Sequence, residues 1–485
     1  MFNRHLIFKI LGTLLWVEAA FMTLCLMLAF CYRDGDANAF LLTIGITVLA
    51  GTGFRLLGRN ASSTMSRRDA YLLVTMVWIA FTVFGMLPFL IGGYINNVTD
   101  AFFETMSGLT TTGATCIDQV EGLPHGLLFW RSLTQWIGGL GIVFFTIAII
   151  PSFVGGSIKI FAAEVTGPIK SKMHPRLTTT AKALLVIYLL LTVACGICFF
   201  IFGMGPFDAV NYAMTITATG GFATHDASTG YFNNAAIDYT AIVFMFFSGV
   251  SFALLYTALF KGKVTKLLRN AEFRFYTALT LTATSLIVYF LLRYNDYSIS
   301  DAIRVALFQV VSFITTTGMF NEDAAQWHHI TWVILSLSMF FGACAGSTAG
   351  GFKCARGVIA LKILRNEIRH MLHPKALLPL KVNDSTVHTP VQITLMAFFL
   401  AYIILCFTAY FIMILVGVDS TNSITIALSC GSNVGPTLGL EIGPTMSWSI
   451  LPAFVKWILS ALMLMGRLEI FTVLVIFTPS FWKNH

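Results

Sequence analysis

Four short segments carry the residue types that could handle a bare cation. The clearest two are Phe103 to Gly113, F-E-T-M-S-G-L-T-T-T-G, and Phe308 to Gly318, F-Q-V-V-S-F-I-T-T-T-G. Counted back from the glycine, Phe, Ser and three Thr fall at the same offsets: Thr110, Thr111 and Thr112 in one, Thr315, Thr316 and Thr317 in the other. Weaker copies are Thr217-Ala218-Thr219-Gly220 and Ser432-Asn433-Val434-Gly435. The closing glycines Gly113, Gly220, Gly318 and Gly435 recur about every 100 residues, the mark of internal repetition. A dehydrated monovalent cation needs several oxygen ligands held by neutral dipoles, and backbone carbonyls in rings supply them. Glycine lets a carbonyl turn to the axis with no side chain in the way. Carboxylates would hold the ion too tightly, and none lies within the four closing stretches 110–113, 217–220, 315–318 and 432–435.

The elements that must position these segments are membrane helices. The chain has 485 residues, 57% hydrophobic and 11% charged, with mean hydropathy +0.80. A soluble domain carries about 25% charged residues. In lipid the backbone must be hydrogen-bonded internally, and long apolar runs choose helices over a barrel. Residues 6–31 and 39–58 read as an N-terminal hairpin. Four units follow, each a span, a short polar-ended segment and a second span. The expected first spans are 71–93, 180–203, 275–293 and 390–417. The second spans are 126–150, 238–260, 329–366 and 449–478. The corresponding boundaries are 1–69 for the hairpin and 70–160, 161–265, 266–372 and 373–485 for the four pore repeats. The short segments open on Thr99-Asp100, Pro206 with Asp208, Ser300 with Asp301, and Ser420 with Ser423, all cap or first-turn residues. Too short to span, they read as re-entrant half-helices. Their C-terminal ends carry partial negative charge and favour a cation where they converge.

The net charge of +8 does not indicate nucleic acid, because the cations cluster between repeats. Arg55, Arg59, Arg67 and Arg68 form one group; Lys159, Lys170, Lys172, Arg176 and Lys182 a second. Lys261, Lys263, Lys266, Arg269 and Arg274 form a third, and Lys353 to Lys381 a fourth. Acidic residues (Asp34, Asp36, Asp118, Glu121, Asp226, Asp296, Glu322, Asp323) fall in the opposite loops. This bias puts both termini in the cytoplasm, with the basic loops facing anionic lipid. The nine Cys show neither metal spacing nor a disulfide framework. Trp130, Arg131 and Trp136 read as an interfacial belt, and His225, His328 and His329 as solvated loop residues.

The residues 110–114 (T-T-T-G-A), 217–221 (T-A-T-G-G), 315–319 (T-T-T-G-M) and 432–436 (S-N-V-G-P) together resemble the Trk/Ktr/HKT superfamily of potassium-uptake proteins. The chain is most similar to the bacterial Trk-type membrane subunit, over essentially its whole length. The resemblance implies an all-α polytopic fold, four pseudo-repeats of helix, pore half-helix and helix around one pore, plus the N-terminal hairpin. It implies potassium as the transported ion and the sixteen residues above as its filter. Relatives with Ser at the first filter glycine prefer sodium; Gly113 here implies potassium. It further implies a homodimer in the inner membrane and a cytosolic regulatory subunit that carries the nucleotide, with no cofactor in this chain.

Aligned glycines recur in the second spans, at Gly138-Gly139-Leu140-Gly141, Gly249, Gly342 and Gly466. Two features there break the symmetry. In Gly342 to Gly351, G-A-C-A-G-S-T-A-G-G, each glycine costs about 1 kcal/mol relative to Ala in a helix. Close helix packing through small residues is one reading; a broken helix under the filter is the other. The family has an intramembrane gating loop there, which would comprise Gly346, Ser347, Thr348, Ala349, Gly350 and Gly351. The second feature is Arg467 within the last span, where a charge costs about 2.5 kcal/mol or more. It could brace the fold or face the pore; a pairing with Glu469 fails because positions i and i+2 do not face each other. In the family this Arg lies beneath the filter. Two other functions stay open: an ion-coupled symporter of potassium or sodium built on broken helices, and a polytopic membrane enzyme. For the latter the spans offer few groups beyond Glu18, Arg467 and Glu469.

Overall fold

The computed structural model describes residues 2–62, 65–148, 177–376, 378–383, 385–439, 443 and 445–483. Apart from one two-residue β-ladder, Lys381–Val382 with Ser385–Thr386, the described elements are helices. Six helices are long and apolar enough to cross a membrane, and two bent pairs pass the same test jointly. The fold is that of an all-α, multi-pass membrane protein.

Helices α1 (Arg4–Tyr32) and α2 (Ala37–Leu57) form the hairpin. Its loop is tied to the rest of the chain by Asp34 Oδ2, which accepts from the backbone N–H of His125 at 3.0 Å and lies 2.6 Å from its Nδ1. Quarter one consists of α3 (Arg67–Gly85), α4 (Leu87–Ile91), the half-helix α5 (Val98–Leu109) and α6 (His125–Ala148). Quarter two has α7 (Leu177–Ile201), the half-helix α8 (Pro206–Ala218), α9 (Ala235–Ser248) and α10 (Phe252–Phe260). After a short linking helix, α11 (Val264–Arg269), quarter three has α12 (Ala271–Tyr294), the half-helix α13 (Ile299–Ile314), α14 (His329–Phe341) and α15 (Cys354–Leu372). Quarter four has α16 (Thr389–Leu415), the half-helix α17 (Ser420–Ser432), α18 (Ala453–Arg467) and α19 (Phe471–Leu474). Of the basic groups between quarters, Lys159, Lys170, Lys172 and Arg176 lie outside the described residues.

The half-helices are 12 to 16 residues long and buried over their C-terminal halves. Their first-turn residues Asp100, Asp208 and Asp301 stand where expected, but the caps lie one to three residues earlier. Asn97 Oδ1 accepts from Thr99 N–H, Ser298 Oγ from Asp301 N–H, and Asp419 from Thr421 and Asn422 N–H; Gly205 precedes Pro206 without a side-chain bond. Ser300, Ser420 and Ser423 are therefore not the caps. A cap must keep extended backbone while its side chain reaches N2 or N3, and the earlier residues satisfy this.

All four second helices break just beyond the aligned glycines. In α6 the break is at Gly141, with φ 50° and ψ −163°. The axis turns by 103° between α9 and α10 and by 111° from α18 into the segment beginning at Phe471. Between α14 and α15 the chain leaves the helix from Gly342 to Lys353. The sequence expectation foresaw the third break only; 238–260 and 449–478 are not continuous spans. Arg467 is thus the last residue of a helix rather than an interior one.

Candidate functional site

The four half-helices end around one ring of backbone. Thr111, Thr219, Thr316 and Asn433 all adopt left-handed conformations, with φ of 53°, 54°, 56° and 58°. Two residues on, Gly113, Gly221, Gly318 and Gly435 have φ of 85°, 80°, 75° and 103°. The four chains close on one another in cyclic order. A Cβ on Gly113 would strike the carbonyl of Gly220; on Gly221, that of Thr317; on Gly318, that of Val434; on Gly435, that of Thr112. Each quarter thus lays its glycine against the preceding residue's carbonyl in the next quarter.

This closure corrects the alignment of quarter two by one residue. Its ring glycine is Gly221, and Gly220 occupies the place of Thr112, Thr317 and Val434. The backbone bonds agree: Thr112 N–H donates to Ser107 O, Gly220 N–H to Thr215 O, Thr317 N–H to Ser312 O and Val434 N–H to Ser429 O, each near 2.9 Å. Ala218 then matches Thr110, Thr315 and Ser432. Thr217 lies further back, in α8, where its hydroxyl donates to Ala213 O at 2.7 Å and pairs with Thr192 Oγ1 at 2.9 Å. A hydroxyl three residues before a glycine occurs in quarter two by coincidence of composition; the second glycine of T-A-T-G-G was the signal of the true register.

The ring is supported from behind. Thr110 and Thr315 donate back to Met106 O and Val311 O at 2.7 Å and pair with Thr112 and Thr317 at 2.8 and 2.7 Å. Ser432 Oγ meets Tyr402 Oη at 2.6 Å, and Asn433 Nδ2 donates to Thr112 Oγ1 at 3.0 Å. Gln135 of α6 donates through Nε2 to Gly220 O at 2.6 Å and accepts from Phe222 N–H at 2.9 Å. Arg131 and Trp130 are buried, with Arg131 paired to Glu104 at 2.9 Å and Trp130 Nε1 donating to Gly85 O. The belt reading fails for both, because their polar atoms find partners inside the protein. Trp136, half-buried, bonds Thr192.

Above the ring lies an open vestibule, floored by the four ring glycines and walled in part by Asp118, Arg131, His225 and Asp226. His225 is not a solvated loop residue. Its ring stacks on Tyr231 at 3.6 Å, with Nδ1 3.2 Å from Glu121 and Nε2 3.5 Å from Asp208. His328 and His329 are exposed, as expected. No group of His, Cys, Asp or Glu able to hold a metal occurs among the described residues, and all nine cysteines are free thiols.

Beneath the ring lies the break of quarter three. Thr348 Oγ1 donates to Thr217 O at 3.1 Å, and Gly350 N–H to Thr316 Oγ1 at 2.6 Å. A Cβ on Gly350 would strike Ser432 O. The loop thus touches the inner ends of three half-helices. Arg467 reaches it from quarter four, donating to Thr348 O at 2.8 Å, and extends to Gly138 O and Gly139 O at 2.5 and 2.9 Å. Carbonyls just before a helix break lack their usual partners, and the break at Gly141 leaves these two to the guanidinium. Glu469 pairs instead with Arg356. Glu272 escaped the sequence reading, and Lys353, grouped there with the basic loops, is buried instead. Glu272 Oε1 accepts from the N–H groups of Ala345 and Ala355, at 2.5 and 3.0 Å, holding both ends of the loop. Buried Lys353 donates to Ala349 O within it. A lone Glu at a span's start gives no pattern to read; a Lys after G-G-F, closing a helix break, does.

Comparison with known proteins fits this geometry. The sequence profile of the TrkH family, described as a cation transport protein, matches residues 36–484. The chain is 37% identical to the Trk system potassium uptake protein TrkH of Halomonas elongata, over 99% of this chain and 100% of that one. It is 33% identical to the Trk system potassium uptake protein TrkG of Escherichia coli, over 98% and 97%. The crystal structure of the potassium transporter TrkH from Vibrio parahaemolyticus superposes with a TM-score of 0.90 at 36% identity, covering both chains fully. With four quarters closing one ring and likeness over the full length, the chain belongs to the TrkH family of cation transport proteins.

Proposed function

We propose that this protein takes up potassium through a channel-like pore whose filter is the ring of backbone closed at Gly113, Gly221, Gly318 and Gly435. The observation that carries the reading is the cyclic fit of each ring glycine against the next quarter's carbonyl, which leaves carbonyl oxygens as the groups crowding one axis. The filter residues are Thr110 to Gly113, Ala218 to Gly221, Thr315 to Gly318 and Ser432 to Gly435. Thr217 contributes its carbonyl to the seat of the loop below. Gly346 to Gly351 with Arg467 form the intramembrane gate. The likeness to Trk-system proteins supports potassium as cargo, an inner-membrane site with cytoplasmic termini, a homodimer and a cytosolic nucleotide-binding regulator. An ion-coupled symport remains the alternative use of the same path. Membrane lipid faces the apolar exterior.

Two results test the reading. Purified protein in vesicles should take up rubidium in competition with potassium, and Gly113→Ser should lower potassium-over-sodium selectivity about tenfold, or about 1.4 kcal/mol. A folded, conducting Gly113→Ser protein with an unchanged ratio would remove the ring from the ion path. The gate is tested at Glu272. Glu272→Leu leaves two N–H groups of the loop without their acceptor, and each such loss costs about 1–3 kcal/mol. The loop should leave its seat more often and rubidium uptake should rise several-fold, selectivity unchanged. A stable variant with parental flux would show that Glu272 does not hold a gate.

A further inference from the structure

The outer side of the ring is braced differently in each quarter. Nine residues before the ring glycines stand Glu104, Tyr212, Gln309 and Ile426. Three of these bond the chain that leaves the ring in their own quarter. Glu104 Oε2 accepts from Cys116 N–H at 2.8 Å, Tyr212 Oη donates to Ser228 O at 2.9 Å, and Gln309 Nε2 donates to Glu322 O at 2.8 Å. Ile426 only packs.

Quarter one adds a charge. Arg131 Nε donates to Glu104 Oε1 at 2.9 Å, and the two side chains are 2% and 1% exposed. The guanidinium also donates to Ala223 O, two residues past Gly221, at 3.1 Å, and to Thr115 Oγ1 at 3.3 Å. It lies 4.2 Å from the Phe222 ring centroid. Thr115 donates to Glu104, and its carbonyl accepts from Trp448 N–H of quarter four. One buried pair therefore ties together the chains just outside the ring from quarters one, two and four.

Quarter four shows that this place does not need a charge to fold. Gly138 and Gly466 are equivalent, since a Cβ on either would strike the carbonyl four residues before its quarter's ring glycine, Leu109 O or Gly431 O. Counting back seven from each matches Arg131 with Leu459. There Ile426 and Leu459 are both fully buried and apolar. A desolvated ion pair gives no more stability than well-packed apolar residues of similar size. What it gives here is aim: four directed bonds on Cys116 N–H, Ala223 O and Thr115.

We propose that Glu104 and Arg131 are a specificity-determining positioning pair, holding the outer edge of the ring at the aperture that distinguishes potassium from sodium. The inference rests on the filter reading above. Neither side chain belongs to the ring itself; Arg131 also borders the vestibule above it, and the pair acts through the chain that follows Gly113 and Gly221.

The test copies quarter four into quarter one. Glu104→Ile with Arg131→Leu removes both charges together, so no buried charge is left alone. In vesicles the double variant should conduct, with its potassium-over-sodium permeability ratio reduced about tenfold. Thr115→Val, which keeps the side-chain shape and removes the bridging hydroxyl, should lower the ratio in the same direction by a smaller factor. Gly113→Ser is measured alongside. If it changes the ratio while the folded double variant and Thr115→Val do not, the pair is packing alone and the proposal is overturned. If none of the three changes it, the filter reading falls as well. If the double variant cannot be recovered folded, Thr115→Val decides, and an unchanged ratio there overturns the proposal.

Discussion

Gly221→Ala should abolish selective potassium uptake, whereas Gly220→Ala should leave most of it. The two glycines are neighbours of identical composition, and only their backbone separates them. Gly221 has φ 80°, a region that costs a residue with a Cβ about 1–2 kcal/mol. Its Cβ would strike Thr317 O, which is backbone held by the adjoining quarter and has nowhere to go. Relief must come from moving one of the carbonyls that line the axis. At Gly220 the added Cβ meets the side chain of Gln135, which can swing aside at the cost of its two bonds, to Gly220 O and from Phe222 N–H. A neutral hydrogen bond of that kind contributes about 1 kcal/mol. Rubidium uptake and the potassium-to-sodium ratio, measured on folded protein, should therefore fall more than tenfold for Gly221→Ala and a few-fold at most for Gly220→Ala. The reverse order would mean that quarter two enters the ring one residue earlier.

That comparison marks where sequence and structure part. The four half-helices were legible because T-T-T-G is repeated nearly intact in two quarters and because a polar segment of that length cannot cross a membrane. The loop after Gly342 was legible because its glycines cluster. The register of quarter two was not, since Thr217 and Thr219 before Gly220 imitate the T-T-T-G of the other quarters, whereas closure of the ring selects Gly221. The breaks after Gly249 and Arg467 were hidden for another reason. Phe252–Phe260 and Phe471–Leu474 are apolar and continue the run without a proline or a glycine cluster, so hydropathy reads through the bend. The brace was hidden by distance: Glu104 and Arg131 lie on different helices, and although Glu104 falls inside the repeated segment, its counterpart there is the uncharged Gln309.

The breaks also explain how a cation can sit beneath the ring. A helix that stops leaves carbonyls without N–H partners, and in a membrane these must be satisfied within the protein. The breaks of quarters one and three bring Gly138 O, Gly139 O and Thr348 O within reach of one side chain. A guanidinium presents five donors in a rigid fork and can collect several of them. Arg467 takes three, from α6 in quarter one and from the loop in quarter three. The charge is thus held by backbone carbonyls.

Arg467→Gln should raise potassium flux about tenfold, for two reasons that add. The first is electrostatic. At about 5 Å and an effective dielectric near 20, two unit charges repel by roughly 3 kcal/mol, and water in the path lowers this. Recovering even 1.4 kcal/mol of barrier is about a factor of ten. The second is mechanical. The bond to Thr348 O joins the loop to α18 and, through the same guanidinium, to α6, and its loss leaves the loop held by Thr316, Thr217 O and Glu272. Arg467→Lys separates the two contributions. It keeps the charge but replaces the fork with a single ammonium, so it should loosen the loop while opposing the ion as before. Its flux should rise less than that of Arg467→Gln. Selectivity should match the parent in both, because no ring residue is changed. Rubidium uptake and thermal stability, measured in parallel on purified protein, discriminate the outcomes. A stable Arg467→Gln protein with parental uptake would place the guanidinium outside the ion path. A variant that loses both stability and flux would make Arg467 a brace for the helix breaks rather than a gate.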